Sequence, residues 1–179
     1  MKKLVGFAKE RFGRIDVLFA NAGIMPVGNL SQLKTYEWND MVDINIRGVL
    51  NAVAAVLPEF TGQQKGQIIA TSSVAGTRPI PGNAVYSGTK YFVKAFMESF
   101  RQESIQEGNG IRTTVIYPGA VQTELLKSIS DANIKSAVEN IYEKVEIKPE
   151  SVAEAVLYAV SQPDDVDISD LIVRPSAEA

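Results

Sequence analysis

The sequence predicts an α/β fold, a parallel sheet flanked by helices, on three observations. Short apolar runs rich in β-branched residues alternate with longer stretches of helical period. The segments between successive runs are long enough for the crossover helices that parallel strands require. Turns containing Gly or Pro mark most changes of period.

Residues 1–12 read as a helix with Leu4, Val5, Ala8 and Phe12 on one face and Gly13 as its stop. Ile15 to Ala20 is a short apolar run, the signature of a buried strand. Residues 35–60 form a long helical stretch with Thr35 in N-cap position. Its apolar residues, from Met41 to Leu57, run nearly all round, so more than one side should be covered. After the turn from Gly62 to Gly66, Gln67 to Thr71 is a second strand, and residues 84–107 are a helix stopped at Gly108-Asn109-Gly110. Ile111 to Tyr117 is a third strand, broken by Pro118-Gly119. Residues 121–145 carry a weaker helical pattern. Pro149 suits the first position of a helix to about 161, and Leu171 to Val173 is a last short strand.

At 179 residues the chain is expected to be one domain, 1–179, able to bury a real core. Its 45% hydrophobic and 22% charged residues are ordinary for a globular protein. A net charge of −3 without a basic run argues against nucleic acid as a partner. The absence of Cys and His removes disulfides, thiol catalysis, imidazole catalysis and the commonest metal ligands, so no metal is expected. No apolar run is read as a membrane span, and Met1-Lys2-Lys3 is followed too soon by Glu10, Arg11 and Arg14 for a signal peptide. The expectation is a cytoplasmic protein without membrane contact.

Chemistry concentrates in Tyr86-Ser87-Gly88-Thr89-Lys90, with Ser73 thirteen residues before the tyrosine. A phenol and an ammonium four residues apart share one helix face. The ammonium is expected to lower the phenol pKa from about 10 towards working pH, making Tyr86 a general acid or base. Alone, Tyr-x-x-x-Lys is a weak signal, commonest as a surface pair. Other segments sharpen it. Ser72-Ser73-Val74-Ala75-Gly76, Asn21-Ala22-Gly23 and Pro118 to Thr123 all follow strands, and ligands bind at strand C-termini in open α/β sheets. Each read singly is a turn or a strand stop. Asn45, between Ile44 and Ile46, puts an amide inside an apolar helix, where it must find partners.

Taken together and in this order, Asn21-Ala22-Gly23, Asn45-Ile46-Arg47-Gly48, Ser72 to Gly76, Tyr86 to Lys90 and Pro118 to Thr123 resemble the short-chain dehydrogenase/reductase family. The resemblance implies a Rossmann-like sheet and an oxidoreductase that interconverts a carbonyl and an alcohol with NAD or NADP. By resemblance, Ser73 polarises the substrate carbonyl, Tyr86 exchanges the proton, and Lys90 lowers the Tyr86 pKa and holds the nicotinamide ribose. Asn45 would bind a water that passes protons towards Lys90. Pro118, Gly119, Val121 and Thr123 would contact the nicotinamide end, and Asn21, Ala22 and Gly23 the floor beside the adenosine half. Ser72 would be a structural neighbour.

Family members open with a strand and a glycine-rich turn of Thr-Gly-x-x-x-Gly-x-Gly type that meets the pyrophosphate. This sequence holds no such turn. Against the family's strand order 3-2-1-4-5-6-7, the first three of seven strands are unmatched, roughly 60 residues at about 30 per βαβ unit. The expectation is therefore a domain lacking the N-terminal cofactor-binding segment, with a longer natural chain. The strand from Ile15 becomes a bare apolar edge, and the residue that separates NAD from NADP is not represented. Two other readings follow: a non-catalytic module for oligomerisation or interaction, unable to bind dinucleotide, and a fragment without a role. The resemblance also implies a homodimer or homotetramer built on helix 35–60 and the Tyr86 helix. The loop from Thr77 to Gly82, with Arg78, and segment 121–145 would flank a pocket for a small-molecule substrate.

Overall fold

The computed structural model describes residues 1–178. Four strands form one parallel sheet in the order β1-β2-β3-β4: β1 (Val17–Ala20), β2 (Gly66–Thr71), β3 (Ile111–Pro118) and β4 (Asp170–Val173). The helices are α1 (Lys2–Phe12), α2 (Thr35–Gln63), α3 (Ala84–Glu107), α4 (Ala132–Val145) and α5 (Pro149–Val160). Each strand lies beside its predecessor in sequence, joined through helices, which is the Rossmann-like arrangement read from the sequence.

The main core lies between the sheet and α2 and α3. Val53, Val56 and Phe60 of α2 and Val93 and Met97 of α3 close over Ile68, Ala70 and Val115. Burying side chains of this size contributes about 1.5–3 kcal/mol each. The other side of β2 and β3 is met by α5. There Gln67 donates to Thr114 Oγ1 at 3.1 Å and to the Ala159 carbonyl at 3.3 Å, and Arg112 donates to Gln67 Oε1 at 3.1 Å.

Helix α3 runs over the predicted residues, because Gly108 takes the left-handed conformation (φ 63°) and ends it. Helix α2 differs from expectation in three ways. Its N-cap position is Lys34, and Thr35 is already helical. It runs through Pro58 to Gln63. Val42–Arg47 is wound as a π-helix, the wider turn that places Asn45 inward. By length and composition α2 could cross a membrane, which corrects the reading that no segment reaches that size. Its buried residues pack against the sheet, while Ile44 and Leu50 on its other side are exposed.

Three further expectations change. Helix α1 buries none of its residues. Leu4 and Phe12 are exposed and Val5 is the α1 residue that packs on the core, because the main neighbour of α1 among the described residues is α2. Segment 121–145 is not one helix. A short 3₁₀ turn, Glu124–Ser128, precedes α4, and Asp131 starts the new helix by accepting from the N–H groups of Asn133 and Ile134, both at 3.0 Å. Strand β1 is the predicted bare edge, with Val17 and Phe19 36% and 41% exposed.

Candidate active site

The C-terminal ends of β1, β2 and β3 open onto a cleft of about 520 Å³. The topology brings every strand-end motif to this rim. Asn21, Ala22 and Gly23 come from β1, Ser72 and Ser73 from β2, and Pro118, Gly119, Val121 and Thr123 from β3. Tyr86 and Lys90 enter from the first turns of α3. The lid over the opening is Glu124–Ser128 together with α4, which contributes Tyr142.

Ser73 is extended and caps the short turn Val74–Gly76. Its hydroxyl accepts from Ala75 N–H at 3.1 Å and makes a long 3.5 Å contact to the Pro118 carbonyl. It is thus the turn former the local sequence suggests, and it lines the cleft as well. Ser72 is buried and donates to the Lys90 carbonyl at 2.8 Å, fixing α3 against the end of β2. Gly76 permits that contact. A Cβ there would collide with Ser72 Oγ and come within 2.9 Å of the Lys90 carbonyl oxygen.

Lys90 is buried, and its ammonium donates to the Thr71 carbonyl at 2.9 Å. It stands 5.6 Å from the centre of the Tyr86 ring, a cation–π position. Burial lowers its pKa from 10.5 to about 8. For Tyr86 the direction expected from sequence is reversed. Burial raises the phenol above its ordinary value; the Ser73 hydroxyl opposes this, and Tyr142 adds to it. Helical spacing places the ammonium on the same face, but its proton goes to Thr71.

The depressed Lys90 value has a consequence for stability. Between about pH 8 and 10.5 the unfolded chain holds a proton on Lys90 that the folded chain has released. Stability therefore rises with pH across that window, and the cost of burying the ammonium is fully present below it. A comparison with Lys90→Met isolates this contribution. The wild type, measured by chemical denaturation, is expected to gain on the variant by about 3 kcal/mol from pH 8 to 10.5. Parallel pH profiles for the two proteins would contradict it.

Asn45 is 1% exposed and its amide is engaged. Oδ1 accepts from Ile24 N–H at 2.9 Å. Nδ2 donates to the Ile24 carbonyl at 2.9 Å and to Thr89 Oγ1 at 3.1 Å. The side chain clamps the segment after β1 onto α2 and α3; both its N–H donors are occupied by protein, so the expected water would have to be held another way. Asn45 does not line the cleft among the described residues. Gly23 completes this floor. A Cβ on it would lie 3.3 Å from Asn45 Oδ1 and 3.4 Å from Lys90 Nζ. Asn21 Oδ1 accepts from Thr71 Oγ1 at 2.8 Å, joining β1 and β2 at the rim.

The lid is tied to the segment that follows β1. Met25 N–H donates to Ser128 Oγ at 2.9 Å, and Gln32 donates to Asp131 at 2.9 Å. Ser130 donates to the buried carboxylate of Glu37 and accepts from Lys34 at 2.9 Å. Beneath it, Met25, Met41, Ile129 and Tyr86 form a second apolar cluster. Arg78 is exposed and, among the described residues, does not line the cleft. Glu124 lines it but pairs with Lys127. Tyr142 was missed in the sequence because it belongs to no motif. The available signal was an aromatic residue on an amphipathic helix after the third strand.

A parallel sheet flanked by helices, with a cleft at its strand ends, is a Rossmann-like frame. Residues 1–134 match the short chain dehydrogenase family model, and the chain belongs to that family. It is 50% identical over 177 residues to an uncharacterized oxidoreductase of Listeria innocua, covering 99% of this chain and 71% of that protein. It is 36% identical to glycine betaine reductase of Emericella nidulans over 98% of this chain and 14% of that much longer protein. Among solved structures, the closed form of serine dehydrogenase complexed with NADP+ superposes with a TM-score of 0.88 at 29% identity. It covers 100% of this chain and 74% of that one. An alcohol dehydrogenase of Thermococcus sibiricus complexed with 5-hydroxy-NADP gives 0.83 at 29% identity, covering 99% and 70%.

Proposed function

We propose that this chain interconverts a carbonyl and an alcohol with NAD or NADP, using Ser73, Tyr86 and Lys90, with Asn45 as the clamp that holds them. The observation that carries this reading is the convergence of Ser73, Tyr86 and Lys90 in one cleft, which the turns after β1 and β3, the lid and the α5 residues Val152 and Val156 also line. The nicotinamide end fits the residues present. Gly23 leaves room beside Lys90 that a Cβ would fill, and Pro118, Gly119, Val121 and Thr123 line the cleft from the turn after β3, with the Glu178 side chain packed against Gly119. Tyr86, Lys90, Pro118, Gly119, Val121 and Thr123 would hold that half, and Asn21, Ala22 and Gly23 would line the floor towards the adenosine half. The glycine-rich turn for the phosphates is not among these residues.

The cofactor supplies the hydride when bound; the protein orients the substrate and moves the proton. The Ser73 hydroxyl donates to the carbonyl oxygen and draws it towards Tyr86. Tyr86, kept neutral by burial, is in the proton-donor form that reduction needs. Its proton passes to the oxygen as the carbonyl carbon is reduced. Lys90, with a pKa of about 8, is cationic at neutral pH and stabilises the phenolate left behind. The reverse reaction needs Tyr86 deprotonated, so alcohol oxidation should be favoured by alkaline pH. Residues 1–179 are read as one unit. It pairs as a homodimer or homotetramer through the outer faces of α2 and α3, where Ile44, Leu50 and Tyr91 are exposed.

The test is turnover of NADH or NADPH with a panel of small ketones and aldehydes, beside direct titration of both cofactors. Carbonyl-dependent consumption of one cofactor is expected. Neither binding nor turnover would favour the non-catalytic module, for which the exposed β1 edge is the supporting observation.

A further inference from the structure

The part of the cleft that faces Tyr86 from the lid has a chemistry of its own. Tyr142, half-buried on α4, lines the same cavity as Tyr86, and so do the aliphatic Val121 and Leu125. Among the described residues its hydroxyl makes no hydrogen bond, so neither an ion pair nor a cap explains its inward position. It sits within the electrostatic reach of Tyr86, whose proton it helps retain. Its own phenol is held neutral by burial and by the carboxylates of Glu178 and Glu146. Glu178 is anchored, its carboxylate accepting from Ala120 N–H at 3.1 Å.

The charges around this wall are lopsided. Glu178 and Glu146 are close enough for their charge to act on Tyr142, and Glu124 lines the cleft. Lys127 is paired with Glu124, and among the described residues that line the cleft Lys90 is the one cation. Its ammonium, 5.6 Å from the centre of the Tyr86 ring, is already engaged by the Thr71 carbonyl. A substrate carboxylate placed against Tyr142 would meet negative charge and no donor cation. An apolar or aromatic body would meet a ring and two aliphatic side chains.

Resting on the proposed carbonyl chemistry, we propose that Tyr142 is the wall of the substrate subsite and that this subsite takes uncharged carbonyl compounds with an apolar or aromatic body, rejecting carboxylates. The ring supplies an apolar, quadrupolar surface that stacks on a planar body. The surrounding carboxylates penalise an anion by like-charge repulsion in a partly desolvated site.

A pair of ketones tests this: acetophenone and 4-acetylbenzoate, which share the aryl methyl ketone and differ by one para-carboxylate. Binding is read by saturation-transfer NMR with NADP+ and, separately, NAD+ present, and turnover is read alongside. Acetophenone is expected to bind at least about tenfold more tightly than 4-acetylbenzoate. Tyr142→Ala should weaken acetophenone about tenfold, in KM rather than kcat, while Tyr142→Phe stays within about twofold because the ring remains. An unchanged circular dichroism spectrum and unfolding midpoint establish that Tyr142→Ala is folded. Equal or tighter binding of 4-acetylbenzoate would overturn the proposal, as would a folded Tyr142→Ala with unchanged acetophenone affinity. Binding in the expected order without any turnover would uphold the subsite and instead count against the redox reading.

Discussion

Replacing Tyr86 with Phe is expected to lower carbonyl reduction by about 10²–10⁴-fold, the usual contribution of a positioned general acid. The fold should tolerate the change. Tyr86 is 5% exposed, its ring packs with Met25, Met41 and Ile129, and Phe keeps that ring. No protein group among the described residues depends on the phenol as its sole hydrogen-bond partner. The loss should therefore fall on kcat, with cofactor affinity and the unfolding midpoint nearly unchanged. Steady-state kinetics beside thermal unfolding separates these effects. A Tyr86→Phe protein reducing ketones at the wild-type rate would remove Tyr86 from the chemistry. Parallel losses of rate and stability would make it a core residue.

The second large effect is expected at Asn45. Asn45→Ala strands the N–H and carbonyl of Ile24, both of which the amide satisfies at 2.9 Å, and deprives Thr89 of a donor. An unsatisfied buried polar group costs about 1–3 kcal/mol, so a loss of about 2–4 kcal/mol in unfolding free energy is expected, before any cavity is counted. The same change frees the floor of the cleft, because Gly23 lies against Asn45 and Lys90. Activity should fall together with stability. Denaturant unfolding measures the first and steady-state kinetics the second. A variant as stable as the wild type but inactive would restore a direct chemical role to the amide and contradict the clamp.

Most of the sheet was legible in the sequence because its strands are apolar, β-branched and bounded by Gly or Pro. Ile111 to Tyr117 between Gly110 and Pro118 is the clearest case. The Tyr86 helix was equally plain, since Gly108 offers a cheap left-handed stop. What was not legible depends on contacts between distant residues. The break between Ser128 and Ala132 is enforced by Ser128, Ser130 and Asp131 bonding to Met25, Lys34, Glu37 and Gln32, about a hundred residues away. Local helical period cannot report such partners.

The site divides along the same line. That the strand-end motifs share one rim was readable, because they follow strands and the topology carries strand ends together, whereas Tyr142 belongs to no motif and Asn45 does not line the cleft among the described residues. The electrostatics of the site were not readable. Spacing on a helix puts Lys90 on the face of Tyr86, but only the folded chain shows the ammonium turned to Thr71 and both groups buried. Burial then lowers Lys90 and raises Tyr86. Asn45 shows the same limit. An amide in an apolar helix announces that partners exist, and the sequence cannot say that they are the backbone groups of Ile24.

The most direct measurement is hydride transfer itself. The chain is incubated with NADH or NADPH deuterated at the nicotinamide C4, in separate preparations for each face, together with acetophenone. The alcohol is then analysed by mass spectrometry. Deuterium on the carbinol carbon, from one face of one cofactor and strongly reduced in Tyr86→Phe, is the predicted result. An alcohol free of deuterium from every preparation, or label transfer undiminished in Tyr86→Phe, would contradict it.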